Sequence, residues 1–133
     1  RISPKARRLL AATERALVAG IAACAPGGRL GDIGYAVERT VRRAGFKVIR
    51  GLTGHGVGFA LHEDPTVLNY GEKGAGLRLE PRLVIAIEPM VSLGSDRVIQ
   101  LDDESYATSD GSLSAHYEHT IAITKDGPEI LTA

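Results

Sequence analysis

The 133-residue sequence has one cysteine, no net charge and no long apolar run, and each lack removes a class of protein. Cys24 alone cannot close an internal disulfide, so a stapled secreted scaffold is excluded. Sixteen basic residues offset sixteen acidic ones. That balance gives no electrostatic reason to expect nucleic acid or an anionic membrane as partner. No apolar stretch approaches the roughly 18–20 residues of a membrane span, and no signal-peptide pattern opens the chain. A soluble protein in a reducing, cytoplasmic setting is expected. Internal repeats and low-complexity tracts are also missing. The first residue is Arg1, not Met, so a processed product or a piece of something longer is expected. What is present is enough apolar content, 44% of residues, for the core of a single domain over 1–133.

Two helices are expected first. Residues 3–24 begin with a Ser3 cap and Pro4, and Leu10, Leu17 and Ile21, with Ala6, Thr13 and Cys24, form a stripe at helical spacing. Residues 30–44 place Leu30, Ile33, Val37, Val41 and Ala44 on one face, with Gly45 as a left-handed stop. Arg39, Arg42 and Arg43 read as a solvated face near the negative helix end. After Gly45, segments 46–50, 83–88, 97–101, 117–124 and 129–132 are short, rich in Val, Ile, Leu, Thr or Tyr, and separated by turn residues. The order predicts an α+β fold, with two helices packed on a mainly antiparallel sheet.

Three stretches place ionisable side chains where a core would forbid them. In 83-LVIAIEP-89, alternation puts Leu83, Ile85 and Ile87 on one face and Val84, Ala86 and Glu88 on the other. If buried, Glu88 needs a positive partner, a metal or a proton; a surface glutamate at a strand end is the alternative. In 117-YEHTIAIT-124, Glu118 shares a face with Thr120, Ala122 and Thr124. His119, opposite, reads as a packed histidine with one hydrogen bond, and His116 as lying at the exposed entrance of the strand. In 54-GHGVGFALHEDP-65, His55 stands between two glycines that let backbone approach closely, and His62 precedes Glu63 and Asp64. The spacing is not HExxH, the glycines do not form GxGxxG, and no Lys-Ser/Thr follows for a P-loop. A mixed histidine and carboxylate set suits Mn, Co, Fe or Zn.

The ordered set GHGVGFALHEDP, LVIAIEPM, SLSAHYEHTIAITKDG and EILT resembles bacterial-type methionine aminopeptidases, which belong to the pita-bread family of dinuclear metallopeptidases. The likeness runs through roughly residues 28–133, and the first helix fits it. Peptidases that cut before proline share GHGVG and HEDP but usually differ around the second glutamate. The resemblance implies a pita-bread half-domain, two divalent ions per complete site, and His55, Glu88 and Glu118 as metal ligands, with Glu118 bridging. It implies that His62 contacts the substrate near the scissile bond, that Glu88 is the best candidate to accept a proton from water, and that Leu61 stands where an aromatic commonly lines the methionine pocket. The reaction implied is release of the N-terminal methionine from new polypeptides.

The same resemblance implies a shortfall. Two aspartate ligands and a further histidine belong to a half that precedes the first helix, and they are absent here. Counting agrees: three side chains cannot fill two coordination spheres. The chain is therefore expected to be the C-terminal half of a two-half enzyme, partnered by the missing half or by a second copy. The alternative is a catalytically incomplete half-fold that binds metal or associates with protein. Three departures stand out: a region around Ser105–Tyr106 without the tryptophan often found there, Arg82 where a turn glycine is usual, which argues for a changed turn or reduced constraint, and His116 in place of a common glutamine.

Overall fold

The structure is a computed structural model and describes residues 1–132. Helix α1 runs Pro4–Ala22 and α2 runs Leu30–Arg43. As expected, Ser3 Oγ caps α1, accepting from Ala6 N at 3.1 Å, with Pro4 opening the helix. The buried stripe of α1 keeps Thr13 and Leu17 of the expected one, with Cys24 buried just beyond the helix, and departs from it at Leu10. It comprises Leu9, Ala12, Thr13, Ala16, Leu17 and Gly20, whereas Leu10 is 37% exposed. The small residues explain the rotation, because they let the helix come close to its neighbours. A Cβ at Gly20 would lie 2.9 Å from Val37 Cγ2 and 3.2 Å from Ile87 Cγ2.

Helix α2 buries Ile33, Val37 and Val41 as expected, and Gly45 ends it with φ of 82°. Asp32 secures its start, accepting from Arg29 N and Gly74 N at 2.8 Å each. Those two backbone donors hold the Asp32 carboxyl below the usual range. Arg39, Arg42 and Arg43 are exposed, in keeping with a solvated face. No helix among the described residues is long and apolar enough to cross a membrane.

Ten short strands follow: β1 Lys47–Val48, β2 Gly54–Gly56, β3 Glu63–Val67, β4 Val84–Ile87, β5 Met90–Ser92, β6 Val98–Gln100, β7 Tyr106–Thr108, β8 Ser114–His116, β9 His119–Thr124 and β10 Gly127–Ile130. They form an antiparallel sheet of order β10-β9-β4-β2-β3, a smaller one of order β1-β5-β8, and a β6-β7 pair. The α+β expectation holds. The strand segments predicted from composition correspond to β1, β4, β6, β9 and β10. The other five strands were not anticipated: β2 is Gly-His-Gly, β3 contains Pro65, and β5, β7 and β8 have three residues each. Pro65 is tolerated because β3 is an edge strand, where a missing N–H leaves no partner unpaired.

Strands β4 and β5 run on as one line, and β8 and β9 run on as its antiparallel partner. Ile87 faces His119 in the larger sheet, and Met90 faces His116 in the smaller one. The register is the same on both sides of the switch, so Glu88 and Glu118 stand opposite each other at it. Tyr117 N donates to Pro89 O at 3.4 Å across the same gap.

The helices cover one face of the larger sheet. There Ile85, Ile87, Ile121 and Ile123 pack with Leu17, Cys24 and Ile33. Burying each such side chain contributes about 1.5–3 kcal/mol. That sum exceeds the roughly 0.2–1 kcal/mol by which a cross-strand charge pair acts, so the hydrophobic face sets the register and carries the two glutamates with it.

Candidate metal centre

The face of the larger sheet opposite the helices carries the ionisable residues. Gly56 pairs with Ile85, which puts His55 on the face of Ala86 and Glu88. Ala86 pairs with Thr120, which brings Glu118 to the same face. Three adjacent strand lines, β2, β4 and β9, thus present His55, Glu88 and Glu118 together. Each offers one ligand atom, and these atoms all lie within 4.8 Å of one another. The face alternation expected for both glutamates holds.

Glycine makes the approach possible on either side of His55. A Cβ at Gly54 would collide with Ala86 O, and one at Gly56 with Asp64 O. The ring is oriented by its own neighbour, since His55 Nδ1 and Gly56 O lie 2.8 Å apart. A carbonyl can only accept, so Nδ1 carries a proton and donates it. A neutral His55 then has Nε2 free to ligate. That atom lies 3.2 Å from Glu88 Oε1.

Glu88 is largely buried, with 13% of its side chain exposed. Its backbone carbonyl accepts from the buried Asn69 Nδ2 at 3.0 Å. Its second oxygen, Oε2, lies 3.2 Å from His116 Nε2. The hydrogen bond to Glu88, with the charges of Glu88 and Glu118, raises the His116 pKa against the lowering effect of burial. Glu118 is exposed. Two carboxylates face each other across one ribbon with an unprotonated nitrogen donor beside them. Like charges so placed are unfavourable unless a cation lies between them, and nitrogen with carboxylate oxygen is a donor set for a divalent metal. The residues therefore fit a metal ion.

His62 is exposed on the 57–62 loop, and its ring centroid lies 4.1 Å from that of His55, tilted by 56°. Glu63 ties this loop, accepting from Ala60 N at 2.7 Å. Leu61 is 73% exposed. His119 makes the single hydrogen bond anticipated for it, Nδ1 to Thr132 Oγ1 at 3.0 Å. His116 is 47% exposed, as expected at the entrance of a strand, but its contact with Glu88 was missed. So was Asn69. The β5–β8 register brings His116 to Glu88, and register is not visible in either segment alone.

Arg82 has a left-handed backbone, with φ of 86°, a conformation that ordinarily favours glycine. Tyr106, from the region that lacks tryptophan, lines an apolar cavity of about 270 Å³ with Leu52, Met90, Ala115 and His116.

Residues 1–125 match metallopeptidase family M24. The chain belongs to that family. Methionine aminopeptidase A of Synechocystis sp. is 47% identical over 131 residues, covering 98% of this chain and 52% of the relative. Methionine aminopeptidase of Clostridium perfringens is 48% identical over 132 residues, covering 98% of this chain and 53% of the relative. The crystal structure of methionine aminopeptidase from Rickettsia prowazekii superposes with a TM-score of 0.97 at 42% identity, covering all of this chain and 54% of that one. The fold is thus the pita-bread half-domain that the motifs imply. This M24 chain spans about half the length of the curated relatives it matches. Membership of a metallopeptidase family agrees with divalent-metal use by the cluster on the open sheet face.

Proposed function

We propose that residues 1–133 are the C-terminal half of a cytoplasmic, dinuclear methionine aminopeptidase, which releases the N-terminal methionine from new polypeptides. The observation that carries this reading is the convergence of His55, Glu88 and Glu118 within 4.8 Å on the sheet face opposite the helices. In this reading His55 Nε2, Glu88 and Glu118 would hold divalent ions, Mn, Co, Fe or Zn. Bound divalent cations supply Lewis acidity, lowering the pKa of a water and polarising the scissile carbonyl.

The chain's own residues do the rest. In this reading Glu88, a largely buried carboxylate, accepts the proton of the attacking water. Neutral His62, beside His55, donates a hydrogen bond to the substrate near the scissile bond. Leu61 and the apolar cavity beside His116 offer contacts for an apolar first side chain. The YEHT pairing favours this reading over a proline-directed peptidase.

Three side chains do not complete two coordination spheres, so the remaining ligands come from a second half. That half is either a separate segment or another copy of this chain. Exposed Phe59, Leu61, Tyr106 and Leu113 support an associated state. The same surface supports the second reading, in which the half-fold binds metal or protein without turnover.

One experiment separates the readings. The mass of the purified chain is measured in solution, and Mn or Co is titrated while a Met-Ala-Ser peptide is assayed. Metal-dependent cleavage lost in Glu118→Ala supports catalysis by this chain. Metal binding without cleavage supports an incomplete centre. Absence of binding at millimolar metal overturns the claim that these residues form a metal site, and a clean monomer counts against the associated state.

A further inference from the structure

We propose that His116 is a positioning residue for the metal centre: its Nε2–H holds Glu88 Oε2, leaving Oε1, beside His55, as the oxygen offered to a cation. This rests on the proposed role of Glu88 as a ligand. His116 Nε2 lies 3.2 Å from Oε2, and His55 Nε2 lies 3.2 Å from Oε1. Each carboxylate oxygen of Glu88 thus has one imidazole nitrogen beside it, and of the two the His116 N–H donates. His116 touches Glu88 but stands outside the group of three whose donor atoms lie within 4.8 Å of one another, which fits a residue that positions a ligand.

The backbone delivers the ring to that place. His116 pairs with Met90 in the smaller sheet, two residues beyond Glu88. Ser114 pairs with Ser92 in the same ladder, and Ile49 N donates to Met90 O at 2.9 Å on the other side of β5. A carboxylate free to rotate presents either oxygen at a cost in ordering. A donor fixed on one oxygen sets the plane of the group and the direction of the other oxygen. With Asn69 on the backbone carbonyl, Glu88 is held at both ends.

Co(II) titration of the intact chain tests this, followed by calorimetry and by the d–d absorption of the bound ion. His116→Ala is expected to weaken Co(II) binding about 10–100-fold, whereas His116→Gln, whose amide N–H still donates to Oε2, stays within about threefold of wild type. The d–d band of His116→Gln is expected to match wild type. Wild-type affinity in His116→Ala overturns the inference. So does a His116→Gln variant as weak as His116→Ala with a shifted band, which marks His116 as a direct ligand. If His116→Ala does not fold, His116→Asn, too short to reach Oε2, takes its place with the same expectation. His55→Ala and Glu88→Ala serve as controls. If they lose Co(II) while His116→Ala keeps it, only the positioning role fails. If they keep it too, the metal centre fails with it.

Discussion

Glu88 and Glu118 stand opposite one another at the point where a continuous antiparallel ribbon passes from one sheet into the next. Neither glutamate is there for stability, because the isoleucines on the other face hold the register. The metal-free chain should therefore carry a cost at this pair. Glu118→Gln is expected to stabilise the metal-free chain by about 0.2–1 kcal/mol, read as a rise of roughly 1–4 °C in melting temperature with chelator present. In saturating Co(II) the order should invert, because binding stabilises only the protein that binds. A variant less stable than wild type in both conditions would contradict this account of the pair.

The two histidines of the glycine-rich stretch should separate in their effects. His55 touches Glu88, and His62 touches only the His55 ring among these groups. His55→Ala is expected to lower metal affinity tenfold or more, on the order of the loss of a ligand. His62→Ala should leave metal affinity nearly unchanged and lower turnover in the assembled enzyme by about 10²–10³, the scale of a lost transition-state donor. Equal losses of metal in both variants would refute the division of roles.

Arg82 holds a glycine-type turn at φ of 86° while its N–H donates to Ile123 O at 2.9 Å. A non-glycine residue in that region costs about 1–2 kcal/mol. Arg82→Gly should remove most of that cost and lose some to the greater freedom of the unfolded chain. A net gain of about 1 kcal/mol is expected in urea denaturation, with the slope unchanged. A destabilised variant would show that the arginine side chain outweighs its backbone.

Cys24 has no exposed surface, and its thiol donates to Gly20 O at 3.4 Å. Burial pushes its pKa from 9.0 up to about 12. The folded thiol should not react with a disulfide reagent at pH 8, and should react fully in denaturant. The sign for stability follows from linkage. The unfolded thiol ionises above about pH 9 and the folded one does not, so its contribution is complete below pH 9 and is lost as pH rises toward about 12. Cys24→Ala should flatten that alkaline decline.

Much of the site was legible in the sequence because its chemistry conflicts with its surroundings. Glu88 and Glu118 interrupt apolar strands, and His55 is set between glycines. Alternation alone assigned the faces of β4 and β9. Glycines flanking His55 imply close backbone approach, and the collisions a Cβ would make at Gly54 and Gly56 agree. What escaped depends on pairing between distant segments. Ser114–His116 and Met90–Ser92 are too short to announce strands, yet their ladder brings His116 to Glu88. In α1, hydrophobicity pointed to Leu10, but close contact with α2 selected the smaller Ala12, Ala16 and Gly20.

The central claim is that His55, Glu88 and Glu118 hold a divalent metal together. Anomalous diffraction from crystals of the chain grown with Mn(II) or Co(II) tests it most directly. The expected result is a peak about 2.0–2.2 Å from His55 Nε2 and from an oxygen of each glutamate. A chain saturated with metal elsewhere, with no peak among these three residues, would contradict it.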